Sequence, residues 1–123
     1  MTQEGKELLL NDLCARQPYR VKISVDDDDL FIPTLKYIDG IVCHFYECAW
    51  IKYIDEIKPY LRSMSRMTKE EKSTYLSYCE CDDGDYTGNT IESFDYLNQI
   101  HVDYRNLIPM GLALEAPEDM YVL

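Results

Sequence analysis

The chain opens with a helical spacing of apolar positions. Leu9, Leu10, Leu13 and Cys14 recur within residues 3 to 16, and Pro18 stops the segment. Thr2 is placed to cap this helix, but Gly5 stands where a capping box would carry Glu, so the first turn is expected to fray. The period then changes. Tyr19, Val21, Ile23 and Val25 alternate with Arg20, Lys22 and Ser24, which predicts a strand with one buried face. Asp26 to Asp29 read as a turn. Leu30 to Ile38 resume a β pattern that Pro33 interrupts, because proline supplies no ladder donor. Asp39-Gly40 suits a tight hairpin, with Ile41 to Cys48 as the returning strand. Ala49 to Ile54 continue as β and run into residues 55 to 62, making three or four short strands in all.

The second half reads as helical. Thr68 and Glu71 form a capping box that predicts a helix from Lys69 to Tyr78. Residues 79 to 90 read as a polar loop, after which Thr90 caps another helix with Ile91, Phe94, Leu97, Ile100, His101 and Tyr104 on one face. A short helix from Tyr104 to Met110 ending at Gly111, and an irregular tail, complete the pattern. The expectation is one α+β domain over residues 1 to 123: an N-terminal helix, a small, strongly bent antiparallel sheet of SH3-like or partial-barrel form, then two or three C-terminal helices.

Composition narrows the function classes. The chain is 46% apolar and 12% aromatic, too hydrophobic for a disordered acidic tail. Its net charge is −11, and the distribution is uneven: residues 73 to 123 hold 10 acids and a single base, Arg105. Such a half repels phosphate backbones, which argues against direct nucleic-acid binding, and attracts a basic partner. The N-terminus lacks the basic start and long apolar run of a signal peptide, and no span reaches the roughly 18 apolar residues of a membrane helix, so a cytoplasmic protein is expected. Five cysteines without a secretory signal favour free thiols.

Three stretches carry a resemblance: Glu7-Leu8-Leu9-Leu10-Asn11-Asp12-Leu13-Cys14-Ala15-Arg16, Ile57 to Thr68, and Asp103 to Ile108 with Gly111 to Pro117. They bracket nearly the whole chain and resemble a family of small proteins carried by phages, prophages and mobile elements of gut anaerobes. The chain departs from that pattern at Gly5 and Ser63. The resemblance implies a genomic setting and no known activity.

Candidate chemistry is sparse. Cys43, His44, Cys48, Cys79 and Cys81 offer zinc-type ligands, but the two pairs of thiols are separated by four residues and by one, not by the two of a zinc knuckle. Cys43 and Cys48 also have opposite parity, so a regular strand turns them to opposite faces. A thiol nucleophile needs an oriented histidine. Cys43 and His44, as neighbours on a strand, point apart, and His101 sits on the apolar face of the second predicted helix, where a core role is expected. Asp82-Asp83-Gly84-Asp85 fails as a calcium loop, because a loop begun at Cys81 puts Glu92 twelfth but Tyr86, not glycine, sixth. Neither metal nor cofactor is expected. Eleven tyrosines suit both small cores and interfaces. Trp50 beside Tyr53 is the strongest candidate anchor if the sheet has an open face. The reading is a non-enzymatic accessory protein acting through an unidentified protein partner, for which the acidic half favours a basic one. The alternative is an acidic mimic of nucleic acid, using Asp82, Asp83, Asp85, Asp95 and Asp103, and a small metal or thiol enzyme ranks third.

Overall fold

The computed structural model describes residues 2–25, 32–46, 51–82 and 85–121, with backbone alone at 80–82 and 85–87. It is an α+β arrangement with an N-terminal helix, antiparallel and mixed sheets, and two later helices. The first helix, α1 (Gln3–Arg16), does not fray at its start: the Thr2 hydroxyl accepts the Gly5 N–H at 3.0 Å, and Gly5 is itself buried. Its inward stripe holds Leu9 and Leu13 but also Asp12 and Arg16, both fully buried. Arg16 Nε bonds Asp12 at 2.8 Å, its Nη2 donates to the Val102 carbonyl at 2.7 Å, and Arg105 reaches the other Asp12 oxygen at 2.7 Å.

The strand expected over Tyr19–Val25 is shorter. A 3₁₀ turn at Gln17–Tyr19 and a left-handed Arg20 (φ 58°) consume its first residues, leaving β1 (Ile23–Val25), which is buried on both faces because Ser24 is covered too. Then β2 (Leu35–Asp39), β3 (Val42–Phe45) and β4 (Ile51–Tyr53) form an antiparallel meander. Gly40 supplies the positive φ (64°) that the Asp39-Gly40 turn requires. The Asp26 to Asp29 turn, Leu30, Phe31 and the 47–50 part of the expected strands lie outside the described residues.

The seven-residue strand β5 (Ile57–Ser63) organises the rest. It pairs antiparallel with β1, Ile23 opposite Pro59, and parallel with two short strands, β8 (Val102–Asp103) and β9 (Leu114–Glu115). Those parallel pairings correct the expectation of a purely antiparallel sheet and of an irregular tail. The expected loop at 79–90 is also corrected. It contains a hairpin of β6 (Glu80–Asp82) and β7 (Asp85–Gly88), since backbone pairing needs no apolar alternation.

Helices α2 (Lys69–Tyr78) and α3 (Ile91–Gln99) begin at capping boxes, Thr68 with Glu71 and Thr90 with Ser93. The apolar face expected along α3 is split: Leu97 and Ile100 are buried, whereas Ile91 is 86% exposed and Phe94 faces outward. The helix expected at Tyr104–Met110 does not form. The Asp103 carboxylate accepts the Leu107 and Ile108 N–H groups at 3.0 and 2.9 Å, and Asn106 is left-handed (φ 60°), which closes turns there instead. The main core joins α1, both principal sheets and Leu107, and a smaller one lies beneath α2 and α3 around Tyr75, Leu97, Ile100 and Val102.

Candidate interaction surface

The meander β2–β4 has two chemically distinct faces, and its register decides which residue goes where. Leu35 lies opposite Phe45 and Ile38 opposite Cys43. Leu35, Cys43 and Phe45 enter the core. Side chains alternate along a strand, so the intervening positions face away. Tyr37, His44 and Ile51 make one row across the three strands, and Asp39, Val42 and Tyr53 the next. A register shift between Leu35 and Tyr37 brings Tyr37 onto the outward side. There its ring stacks on His44, centroids 4.2 Å apart and planes 9° from parallel. Tyr37, Ile51 and Tyr53 are 41, 55 and 51% exposed, and Ile41 at the hairpin tip is 54% exposed. Lys52, in the row with the inward Cys43, pairs with Glu56, and Lys6 pairs with Asp55.

The same register settles the cysteine and histidine candidates. Cys43 points into the core while His44 points out, so the two do not form a nucleophile and base. Burial pushes the Cys43 thiol up to about 12, far from thiolate chemistry. Cys79 is buried in the smaller core, with its Sγ 3.3 Å from the Tyr75 carbonyl. Cys48 and the Cys81 side chain lie outside the described residues. Among the described residues no group of three His, Cys, Asp or Glu side chains is placed to hold a metal ion.

The predicted partner-binding residues are scattered. Tyr53 is on the outward sheet face; Trp50 precedes β4 and lies outside the described residues, as does Asp83. Asp82 and Asp85 are backbone members of the β6–β7 hairpin, with undescribed side chains. Asp95 is exposed on α3, and one of its oxygens accepts the Tyr19 hydroxyl at 2.6 Å, a bond that raises the tyrosine pKa. Asp103 is a correction. It is buried and spends both carboxylate oxygens on backbone N–H groups, so it is no part of an acidic surface.

Other polar groups are buried in the fold. His101 takes the core place expected of it, but from a left-handed turn (φ 62°) that follows α3 and not from the helix face, and its ring stacks on Tyr121 at 3.8 Å. Burial, with the charges of Arg16, Arg62 and Lys22 nearby, brings its pKa down to about 4, so the imidazole is neutral. Arg62 bridges β5 to α2 through a two-pronged bond to Glu71, 2.9 and 2.8 Å, and also donates to the Ile100 carbonyl. That guanidinium holds the Glu71 carboxyl below the usual range. These groups build the fold. A periodicity reading marks Arg16 and Arg62 only as interruptions of an apolar pattern. Comparison of the chain with protein-family models, curated proteins and solved structures returns no match.

Proposed function

We propose that the chain is a non-enzymatic accessory protein of a phage or other mobile element, acting in the cytoplasm by binding a basic protein through the outward face of β2–β4. The observation that carries this reading is the exposure of Tyr37 on β2 and of Ile51 and Tyr53 on β4, on one face with His44 and Val42 of β3 between them and Ile41 at the tip. Scattered exposed apolar residues are ordinary, whereas a contiguous apolar and aromatic patch on a small domain marks a contact surface. Rigid aromatic side chains also lose little entropy on docking. Trp50, next to Ile51 in sequence, would add the largest anchor.

The sheet region has the strand connectivity of an SH3-like barrel in this reading. Ile23 N–H donates to the Pro33 carbonyl and Leu35 N–H to the Val21 carbonyl, each at 2.9 Å, around a Lys22–Thr34 bridge. These bonds join β1 to β2, so that pairing runs from β5 through β1, β2 and β3 to β4. Strong bending where the two sheets meet would present the outward face as a shallow platform. The charge of −11 selects the partner's sign.

The test is capture from a host lysate with wild-type chain and with Tyr37→Ser/Tyr53→Ser, a pair of exposed positions whose replacement leaves the core intact. A basic protein retained at low salt by the wild type and lost from the variant, with thermal unfolding unchanged, is the expected result. Equal retention by both chains, or no retention by either, overturns the proposal.

A further inference from the structure

Glu92, Asp95, Tyr96 and Gln99 follow the i, i+3, i+4, i+7 spacing that aligns side chains along one flank of α3. Together with Tyr78, the last residue of α2, they line a cavity of about 140 Å³. Its aromatic part is a pair of rings, Tyr78 and Tyr96, with centroids 5.7 Å apart and planes tilted by 43°. Tyr78 is 44% exposed and Glu92 and Asp95 are exposed, so the notch opens to solvent. Its lining residues offer two ring faces, the Glu92 carboxylate, the Asp95 carboxylate with one oxygen already accepting the Tyr19 hydroxyl, and one amide; none is basic. The C-terminal end of α2, where its backbone dipole is negative, meets this notch, and no basic residue occupies that last turn.

Ring faces and carboxylates attract the same kind of ligand. A cation over a tyrosine ring gains from the ring quadrupole, and a planar guanidinium can also hold a carboxylate by a two-pronged bond. A cavity of this size takes the head of one side chain, not a peptide segment. We infer that the notch between Tyr78 and α3 seats an arginine side chain of the basic protein partner. The inference rests on the reading of that partner as basic, and it names a second contact point, remote in sequence from the outward sheet face. The 10 acids and single base of residues 73 to 123 place this notch in the most anionic part of the chain.

The probe is the blocked tripeptide acetyl-Gly-Arg-Gly-amide, titrated into the full ¹⁵N-labelled chain, with its citrulline analogue as a neutral isostere. Saturable shifts centred on Tyr78, Glu92, Asp95, Tyr96 and Gln99 are expected, weakened by salt. The citrulline peptide should bind about fivefold more weakly or worse. Glu92→Gln, at an exposed helix position, should weaken the arginine peptide while leaving the remaining spectrum in place; Asp95→Asn should weaken it too, with further shifts confined to Tyr19, whose hydroxyl Asp95 accepts. Shifts spread over the whole surface, no shifts at all, or equal binding of the citrulline peptide overturn the assignment. The tripeptide reads the notch alone, whereas Tyr37→Ser/Tyr53→Ser reads the sheet face, so the failure of one is distinguishable from the failure of the other.

Discussion

The hydroxyl of Tyr121 completes the pairing of Tyr60: it donates to the Tyr60 carbonyl at 2.7 Å and accepts the Lys22 N–H at 2.9 Å, while Tyr60 N–H donates directly to the Lys22 carbonyl at 2.9 Å. One of the two bonds that Lys22 and Tyr60 would exchange is thus routed through a side chain 61 residues away from Tyr60. Burial raises the Tyr121 pKa, so the hydroxyl keeps the proton that this role needs.

Tyr121→Phe keeps the ring and its stacking on His101 but leaves Lys22 N–H and the Tyr60 carbonyl without this partner. A loss of about 1–3 kcal/mol in unfolding free energy is expected from urea titration. An unchanged urea midpoint would mean that the inserted hydroxyl adds nothing to the direct bond.

His101 sets a pH dependence whose sign follows from its depressed pKa of about 4. The unfolded imidazole takes up a proton near pH 6.5 and the folded one does so only near 4, so the unfolded state binds more protons between those values. Stability therefore falls as pH falls through that window, by about 3 kcal/mol at most. His101→Asn, with a residue type that tolerates positive φ, should flatten the curve between pH 6.5 and 4. Matching curves for the two chains would remove His101 as the cause.

Asp12 balances two arginines, one of them fully buried. Asp12→Ala leaves the Arg16 guanidinium uncompensated inside the protein and should cost about 3–5 kcal/mol. The double replacement Asp12→Leu/Arg16→Met should recover much of that loss. A double variant no better than Asp12→Ala would show that packing around Arg16, and not its charge, governs the penalty.

The thiols should separate by depth. Cys14 is exposed and Cys43 is buried with its pKa near 12. Brief alkylation at pH 8, followed by peptide mapping, should label Cys14 and spare Cys43 until urea unfolds the chain. Early labelling of Cys43 would show that the main core opens readily around β3.

Local chemistry was the legible part of the sequence. The Asp39-Gly40 turn and the Thr68 and Thr90 caps each depend on residues within four positions of one another, and each element starts or turns where that chemistry puts it. Helix α1 follows its leucines, but its inward stripe continues through Asp12 and Arg16, because a buried charge is tolerated once it is paired. Strands of two residues carry no period, and β8 and β9 find their partner 40 or more residues away, so nothing near Val102 or Leu114 announces them. Asp103 reads as one more surface acid. Its burial comes from the Leu107 and Ile108 N–H groups, which spacing does not reveal. Alternation sets Ile51 and Tyr53 against Lys52 and would turn the apolar pair inward, so their outward position is legible only from the pairing of Lys52 with Cys43; the Tyr78–Tyr96 notch needs two helices to meet.

The lateness of β8 and β9 bears on how the chain is made. A ribosome emits β5 long before the segments that pair with its Tyr60 to Ser63 end, and those residues pass through an interval in which the main chain offers unsatisfied donors and acceptors. Non-local closure of this kind slows folding. During synthesis, the half-built sheet would be the species most in need of a chaperone.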